Sequence, residues 1–281
     1  MPKGNTIDIP HVITTDHYIR VQSKQVASEK EKVKKFITLY DVNNPNPAPE
    51  TRGRAFIQQF SRFQSDFPAL LDSAKHYFHD SSPDDIKKNF SDLVAICFYK
   101  NDYPGIITYV GTIQKKYVLE ILLTHKDFEN ADAWTAYHVG EAYYQGGDNK
   151  TANEFYTKAT QLAPYVLEFQ NKLGTTEVLL NQLTEGKKTF AYILSENPQF
   201  ISAITNMGYI SLLNGDMVLA KQYYDQALAL DPDDKQALMN TAGWYILNKN
   251  YDAAQIYLLR VLKKYPNELQ AKATLAKLKA V

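Results

Sequence analysis

The sequence predicts an all-α fold, a solenoid of antiparallel helix pairs preceded by an extended N-terminal arm. Three observations carry this. Four prolines, Pro164, Pro198, Pro232 and Pro266, recur every 34 residues, and a fixed period of that length marks stacked helix-pair units. Small residues recur with the same period at Gly140, Gly174, Gly208 and Ala242 and at Ala152, Gly186, Ala220 and Ala254. Bulky residues follow at Tyr156, Phe190, Tyr224 and Leu258, and a third column runs Ala159, Ile193, Ala227 and Val261. Small residues mark where two helices cross closely, and bulky ones fill the grooves beside the crossing.

From the N-terminus, residues 1–50 form the arm and its linker. The first twenty residues hold β-branched residues and turn formers without a helical period, and so short a piece builds no core of its own. Pro45, Pro47 and Pro49 keep the following stretch extended. Residues 51–132 read as two irregular helical hairpins. One has a helix near 51–62 and a turn at Asp66-Phe67-Pro68-Ala69-Leu70; the other has a helix across 85–100 and a turn at Asp102-Tyr103-Pro104-Gly105-Ile106. Asp66 and Asp102 lie 36 residues apart, so the period is disturbed there.

Residues 133–268 hold four regular units opening at Ala133, Leu167, Ile201 and Lys235. Turns at Gly146-Gly147-Asp148 and Asn214-Gly215-Asp216 separate the helices of a unit, and each proline blocks further winding after the second helix. The second unit, with Gly186 and Ile193 at alanine-like positions, is expected to be the least regular. Residues 269–281 fit one amphipathic capping helix, with Leu275 and Leu278 inward and Lys272, Lys277 and Lys279 outward.

Over residues 133–268 this pattern resembles the tetratricopeptide repeat family. Tyr143 and Tyr245 keep the aromatic expected late in the first helix, whereas Glu177 and Ser211 replace it. The resemblance implies a right-handed solenoid and a non-catalytic module that holds a partner segment in its concave groove. First helices line that groove, and their residues outside the packing columns are Trp134, Tyr137, Glu141 and Tyr144, then Asn171 and Thr175, Thr205 and Tyr209, and Met239 and Gly243. Trp134, Tyr137 and Tyr144 are the candidate anchors, since aromatics dominate binding hot spots; the alternative is that Trp134 and Tyr137 pack on the preceding hairpin. Chaperone-binding relatives clamp a peptide carboxylate with basic residues. The absence of Lys and Arg from these positions argues for an apolar or aromatic segment, or an upstream domain, as the occupant.

The segment His11-Val12-Ile13-Thr14-Thr15-Asp16-His17-Tyr18-Ile19 resembles a stretch of periplasmic multihaem c-type cytochromes that carry a tetratricopeptide tail. Met1-Pro2 resembles the pair of residues found directly after the last haem-attachment motif of such proteins. That resemblance implies a C-terminal piece of a longer electron-transfer protein, with the repeats docking a redox partner or the haem domain, and His11 and His17 as axial ligands to haem c carried upstream. It implies a periplasmic location; without it, a cytoplasmic one. No C-x-x-C-H occurs here, so this sequence attaches no haem itself. The alternative is that both histidines are ordinary polar residues on an extended arm.

Other chemistry is weakly signalled. Lys+Arg and Asp+Glu are 31 each, so no global field favours nucleic acid, and the basic run at 30–35 is broken by Glu31. No apolar run reaches the roughly 18 residues of a membrane span, and Met1-Pro2-Lys3-Gly4-Asn5 has no secretory apolar core. Cys97, the sole cysteine, sits in an apolar run as a buried residue and not a nucleophile. His76 and His79 share a helical face and with Asp72 or Asp80 could bind a metal, but no third His or Cys ligand follows. Gly186-Lys187-Lys188-Thr189 lacks the upstream glycine of a phosphate loop. The pairs Asp84-Asp85 and Asp233-Asp234 suit helix starts better than acid–base chemistry.

Overall fold

The computed structural model describes residues 3–5, 13–15, 44, 46–63, 68–122 and 131–278. The chain divides into two units, residues 1–40 and 41–281. In the first, strands β1 (Lys3–Asn5) and β2 (Ile13–Thr15) pair antiparallel, with Gly4 opposite Thr14. The β-branched run Ile13-Thr14-Thr15 is one of these two extended strands, as its propensity favours.

The second unit is helical throughout its described elements. It opens with α1 (Pro49–Phe63), α2 (Ala69–Lys75), α3 (Pro83–Tyr99), α4 (Tyr103–Ile113) and the short α5 (Lys115–Ile121). Four helix pairs follow: α6 (Ala131–Gln145) with α7 (Asn149–Leu162), α8 (Leu167–Leu179) with α9 (Leu183–Glu196), α10 (Ile201–Leu213) with α11 (Met217–Leu230), and α12 (Lys235–Leu247) with α13 (Tyr251–Lys264). Helix α14 (Leu269–Leu278) closes the end, burying Ala271 and Leu275 against α12 and α13.

The turn inside each pair follows one design. Gly147, Asn181, Gly215 and Lys249, spaced by the repeat, all adopt left-handed φ values of 82°, 61°, 81° and 58°, a conformation that costs any residue with a Cβ about 1–2 kcal/mol. The next residue is the N-cap of the second helix. Asp148, Asp216 and Asn250 accept the amide N–H groups of Thr151, Leu219 and Ala253 at 3.0, 2.9 and 3.1 Å, satisfying a terminal donor. Asn101 (φ 58°) and Asp102, which accepts from Gly105 at 3.0 Å, repeat this between α3 and α4. The irregular hairpin thus uses the turn of the regular ones.

The packing columns explain the rest. A Cβ on Gly140 would lie 2.7 Å from the Tyr156 ring, one on Gly174 2.9 Å from Phe190, and one on Gly208 2.6 Å from Tyr224. Each glycine is the hole that its partner's ring fills. The second pair is as regular as its successors, with helices of 13 and 14 residues. The lost aromatic does not disturb it because Glu177 accepts a hydrogen bond from the Thr189 hydroxyl at 2.8 Å. That bond stands where Tyr143 stacks on Phe155 and Tyr245 on Tyr257 in the first and fourth pairs. First helices touch along the array, α8 with α10 and α10 with α12, while α3 and α4 pack on α6. Cys97 is buried, and burial pushes its thiol up to about 11, so the reactive thiolate is scarce at neutral pH.

Candidate functional site: the face of the first helices

Helix α12 displays the logic of the face. From Gln236 the intervals i+3, i+4 and i+7 reach Met239, Asn240 and Gly243, one stripe of a 3.6-residue helix. These residues, with Tyr209 and Leu212 of α10, Tyr224 of α11, Ile246 and Leu247, line a cavity of about 440 Å³. Tyr209, Met239 and Gly243 therefore come together as the repeat spacing requires. The cavity wall mixes apolar, amide and charged groups: Lys235 and Glu268, paired at 2.9 Å, line it together with Gln270.

The opposite end of the face is aromatic. Trp134 is 42% exposed and meets Phe169 of α8 edge-on at 4.8 Å; Tyr137, half-buried, stacks on Phe169 at 4.9 Å. Tyr137 also approaches Phe98 of α3 at 6.4 Å, and His138 stacks on Phe98 at 3.8 Å. Trp134 thus stays available while Tyr137 is partly spent on packing. Burial holds the His138 imidazole neutral, lowering its pKa to about 3.

Two predicted lining residues are not on the surface. Glu141 is buried: it accepts a hydrogen bond from the Tyr156 hydroxyl and pairs with the Lys172 ammonium at 2.7 Å. A carboxylate tolerates burial when paired and hydrogen-bonded in this way. Thr205 is fully buried, because α10 is covered by first helices on both sides. The remaining residues sit at intermediate depth. Tyr144 lies beneath the Lys172 ammonium at 5.0 Å. Thr175 donates to the Asn171 carbonyl oxygen at 2.7 Å and accepts from Asn206 at 3.4 Å, while Asn171 Oδ1 is buried without a hydrogen-bond partner among the described residues.

Sequence reasoning overlooked Lys172, Asn240, Ile246 and Leu247. The signal was present, because each follows from extending the helical stripe by i+4 or i+7 instead of stopping at the columns. His11 and His17 lie outside the described residues. The carboxylates beside His76 and His79 are engaged, Asp72 by Lys100 and Asp80 by Lys75 and Tyr109. A second hollow of about 600 Å³ beside α1 and α3 is lined by Arg54 and Lys88, which are paired with Asp92 and Glu50.

The chain carries tetratricopeptide repeats. Tetratricopeptide repeat family models match residues 135–165 and 211–278. BBSome complex member BBS4 of Xenopus tropicalis is 29% identical over 154 residues, covering 54% of this chain and 29% of that protein. Tetratricopeptide repeat protein 1 of Schizosaccharomyces pombe is 26% identical over 157 residues, covering 55% of this chain and 14% of its own length. The chain therefore spans less than a third of either relative. Among solved structures, a thermophilic tetratricopeptide repeat protein of Thermus thermophilus superposes with a TM-score of 0.54 at 17% identity, over 69% of this chain and all of that one. Pseudomonas aeruginosa pilF gives 0.50 at 17% identity, over 82% of this chain and 100% of its own. These likenesses show the fold, a solenoid of helix pairs.

Proposed function

We propose that the chain is a non-catalytic protein-interaction module that holds a segment of another protein along the face of its first helices. The observation carrying this reading is the stripe on α10 and α12, where Tyr209, Met239 and Gly243 open onto a cavity of about 440 Å³ that no described side chain fills. Trp134 adds an exposed aromatic anchor at the far end, and exposed aromatics of this kind are common hot spots. Cross-linking in the native host, with wild type against a Trp134→Ala/Tyr209→Ala variant, tests the reading. Capture should be lost with helicity retained; equal capture by both proteins would sink the groove.

A second reading, in which the repeats accompany a haem-bearing region and dock a redox partner, rests on the sequence around His11 and His17. The protein purified from its native host would then show a Soret band and a mass well above 32.0 kDa. A colourless protein at that mass removes it.

A further inference from the structure

Along the array, lysines complete sets made of a carboxylate and an aromatic ring. The Lys172 ammonium pairs with Glu141 at 2.7 Å and lies over Tyr144 at 5.0 Å. Lys235 pairs with Glu268 at 2.9 Å over Tyr265 at 5.7 Å, and Lys221 pairs with Asp225 at 2.7 Å over Trp244 at 5.7 Å. At the aromatic end of the face such a set stands without its cation. Glu168, in the first turn of α8, lies one period after Trp134. It adjoins Phe169, whose ring meets Trp134 at 4.8 Å and Tyr137 at 4.9 Å. The Glu168 carboxylate is exposed and makes no ion pair or hydrogen bond among the described residues. Trp134 is exposed beside it, while burial, and after it the charges of Glu141 and Glu168, raise the pKa of Tyr137 and keep it neutral. The other charges at this end are spoken for. Lys172 is matched by Glu141, Lys100 at the end of α3 by Asp72, and Asp132 faces the hollow beside α1. His138 is held neutral, and α4 and α10 carry no charged residue. The charge of Glu168 is left uncompensated.

Resting on the groove reading above, we infer that this end of the face receives the cationic side chain of an arginine or lysine in the partner segment, set against the Glu168 carboxylate and the ring of Trp134. The incoming cation does for Glu168 and Trp134 what Lys172 does for Glu141 and Tyr144. Among aromatic rings tryptophan attracts a cation most strongly, and the planar, weakly hydrated guanidinium suits its face. Both groups lie at the surface, so the side chain keeps part of its hydration while the carboxylate steers its approach.

The test is a selection of random 12-residue peptides displayed on phage against the intact chain, followed by affinity measurements on synthesised winners. Enriched peptides should share an arginine or lysine. Their affinity should fall about tenfold with Glu168→Gln and about tenfold with Trp134→Ala, with helicity retained because both positions are exposed. Neutralising the shared residue in the peptide, citrulline for arginine or acetyl-lysine for lysine, should cost as much in wild type and little in Glu168→Gln. Winners lost with the Trp134→Ala/Tyr209→Ala variant but lacking a shared basic residue overturn the cation inference and leave the groove standing. Winners that bind Glu168→Gln as tightly as wild type overturn it likewise. A selection that enriches nothing, or only peptides indifferent to the Trp134→Ala/Tyr209→Ala variant, overturns the groove reading and this inference together.

Discussion

The first and third regular pairs are built on the same columns and differ in whether their polar groups are finished. In the first, Tyr156, Glu141 and Lys172 satisfy one another, and Glu141 disappears from the surface. In the third, Tyr224 keeps the ring that fills the hole at Gly208, but its hydroxyl has no acceptor among the described residues. The ring therefore serves packing in both pairs, and the neighbouring positions on the first helices decide whether the face is closed or open. A repeat array can in this way vary its surface chemistry along its length without altering the helices that carry it.

The comparison is broken most forcefully at the counter-charge. Lys172→Met leaves the Glu141 carboxyl buried with only the Tyr156 hydroxyl beside it, and removing one member of such a pair costs about 3 kcal/mol. Asn240→Met, two periods later, removes no charge partner and should change stability by no more than about 0.5 kcal/mol. Urea unfolding of both variants checks this. Equal losses would mean that the first pair's triad is not the closed unit its geometry describes.

The aromatic end of the face offers a pH test of the same idea, that this end is dry. The folded chain holds His138 neutral to about 3, against 6.5 for an unburied imidazole. Between those values the unfolded chain binds a proton that the folded chain refuses. Stability should therefore be intact above about 6.5 and fall as pH drops, by up to about 1.4 kcal/mol per pH unit. Wild type minus His138→Phe, compared from pH 7 to 5, isolates this contribution; parallel profiles would show that water reaches the ring.

Much of this was legible in the sequence, and the remainder was hidden for physical reasons. The period placed α8, α10 and α12 with their observed first residues, because the columns are local contacts repeated at fixed spacing. Two periodicities have to be superposed to read the face itself, and Lys172 and Asn240 appear only when the 3.6-residue stripe is drawn on the 34-residue repeat. The burial of Glu141 was not legible, since it depends on a hydroxyl 15 residues away and an ammonium 31 residues away in a different helix. Burial of Thr205 depends on how tightly neighbouring pairs stack, which no single unit encodes. Glu177 reads in sequence as a departure from the pattern, and only its contact with Thr189 reveals a substituted pairing.

Smaller effects sharpen the contrast between the two tyrosines. Tyr156→Phe deletes the donor to a buried carboxylate and should cost about 1–3 kcal/mol. Tyr224→Phe deletes a hydroxyl with no acceptor among the described residues and should leave the free chain unchanged or stabilise it by up to about 1 kcal/mol. Thermal unfolding of the two variants decides the matter. A loss at Tyr224 as large as that at Tyr156 would mean that its hydroxyl has an acceptor in the free chain.

The smallest effect separates two glycines by sign. Gly208 and Gly243 both lie inside first helices, one pair apart, so an alanine at either gains helix propensity of about 1 kcal/mol. At Gly208 the added Cβ would stand 2.6 Å from the Tyr224 ring, and the overpacking cost of about 1–3 kcal/mol outweighs that gain. At Gly243 the Cβ meets nothing, so the gain survives and Gly243→Ala should be the more stable protein. Opposite shifts in unfolding midpoint would assign Gly208 to the packing of the chain.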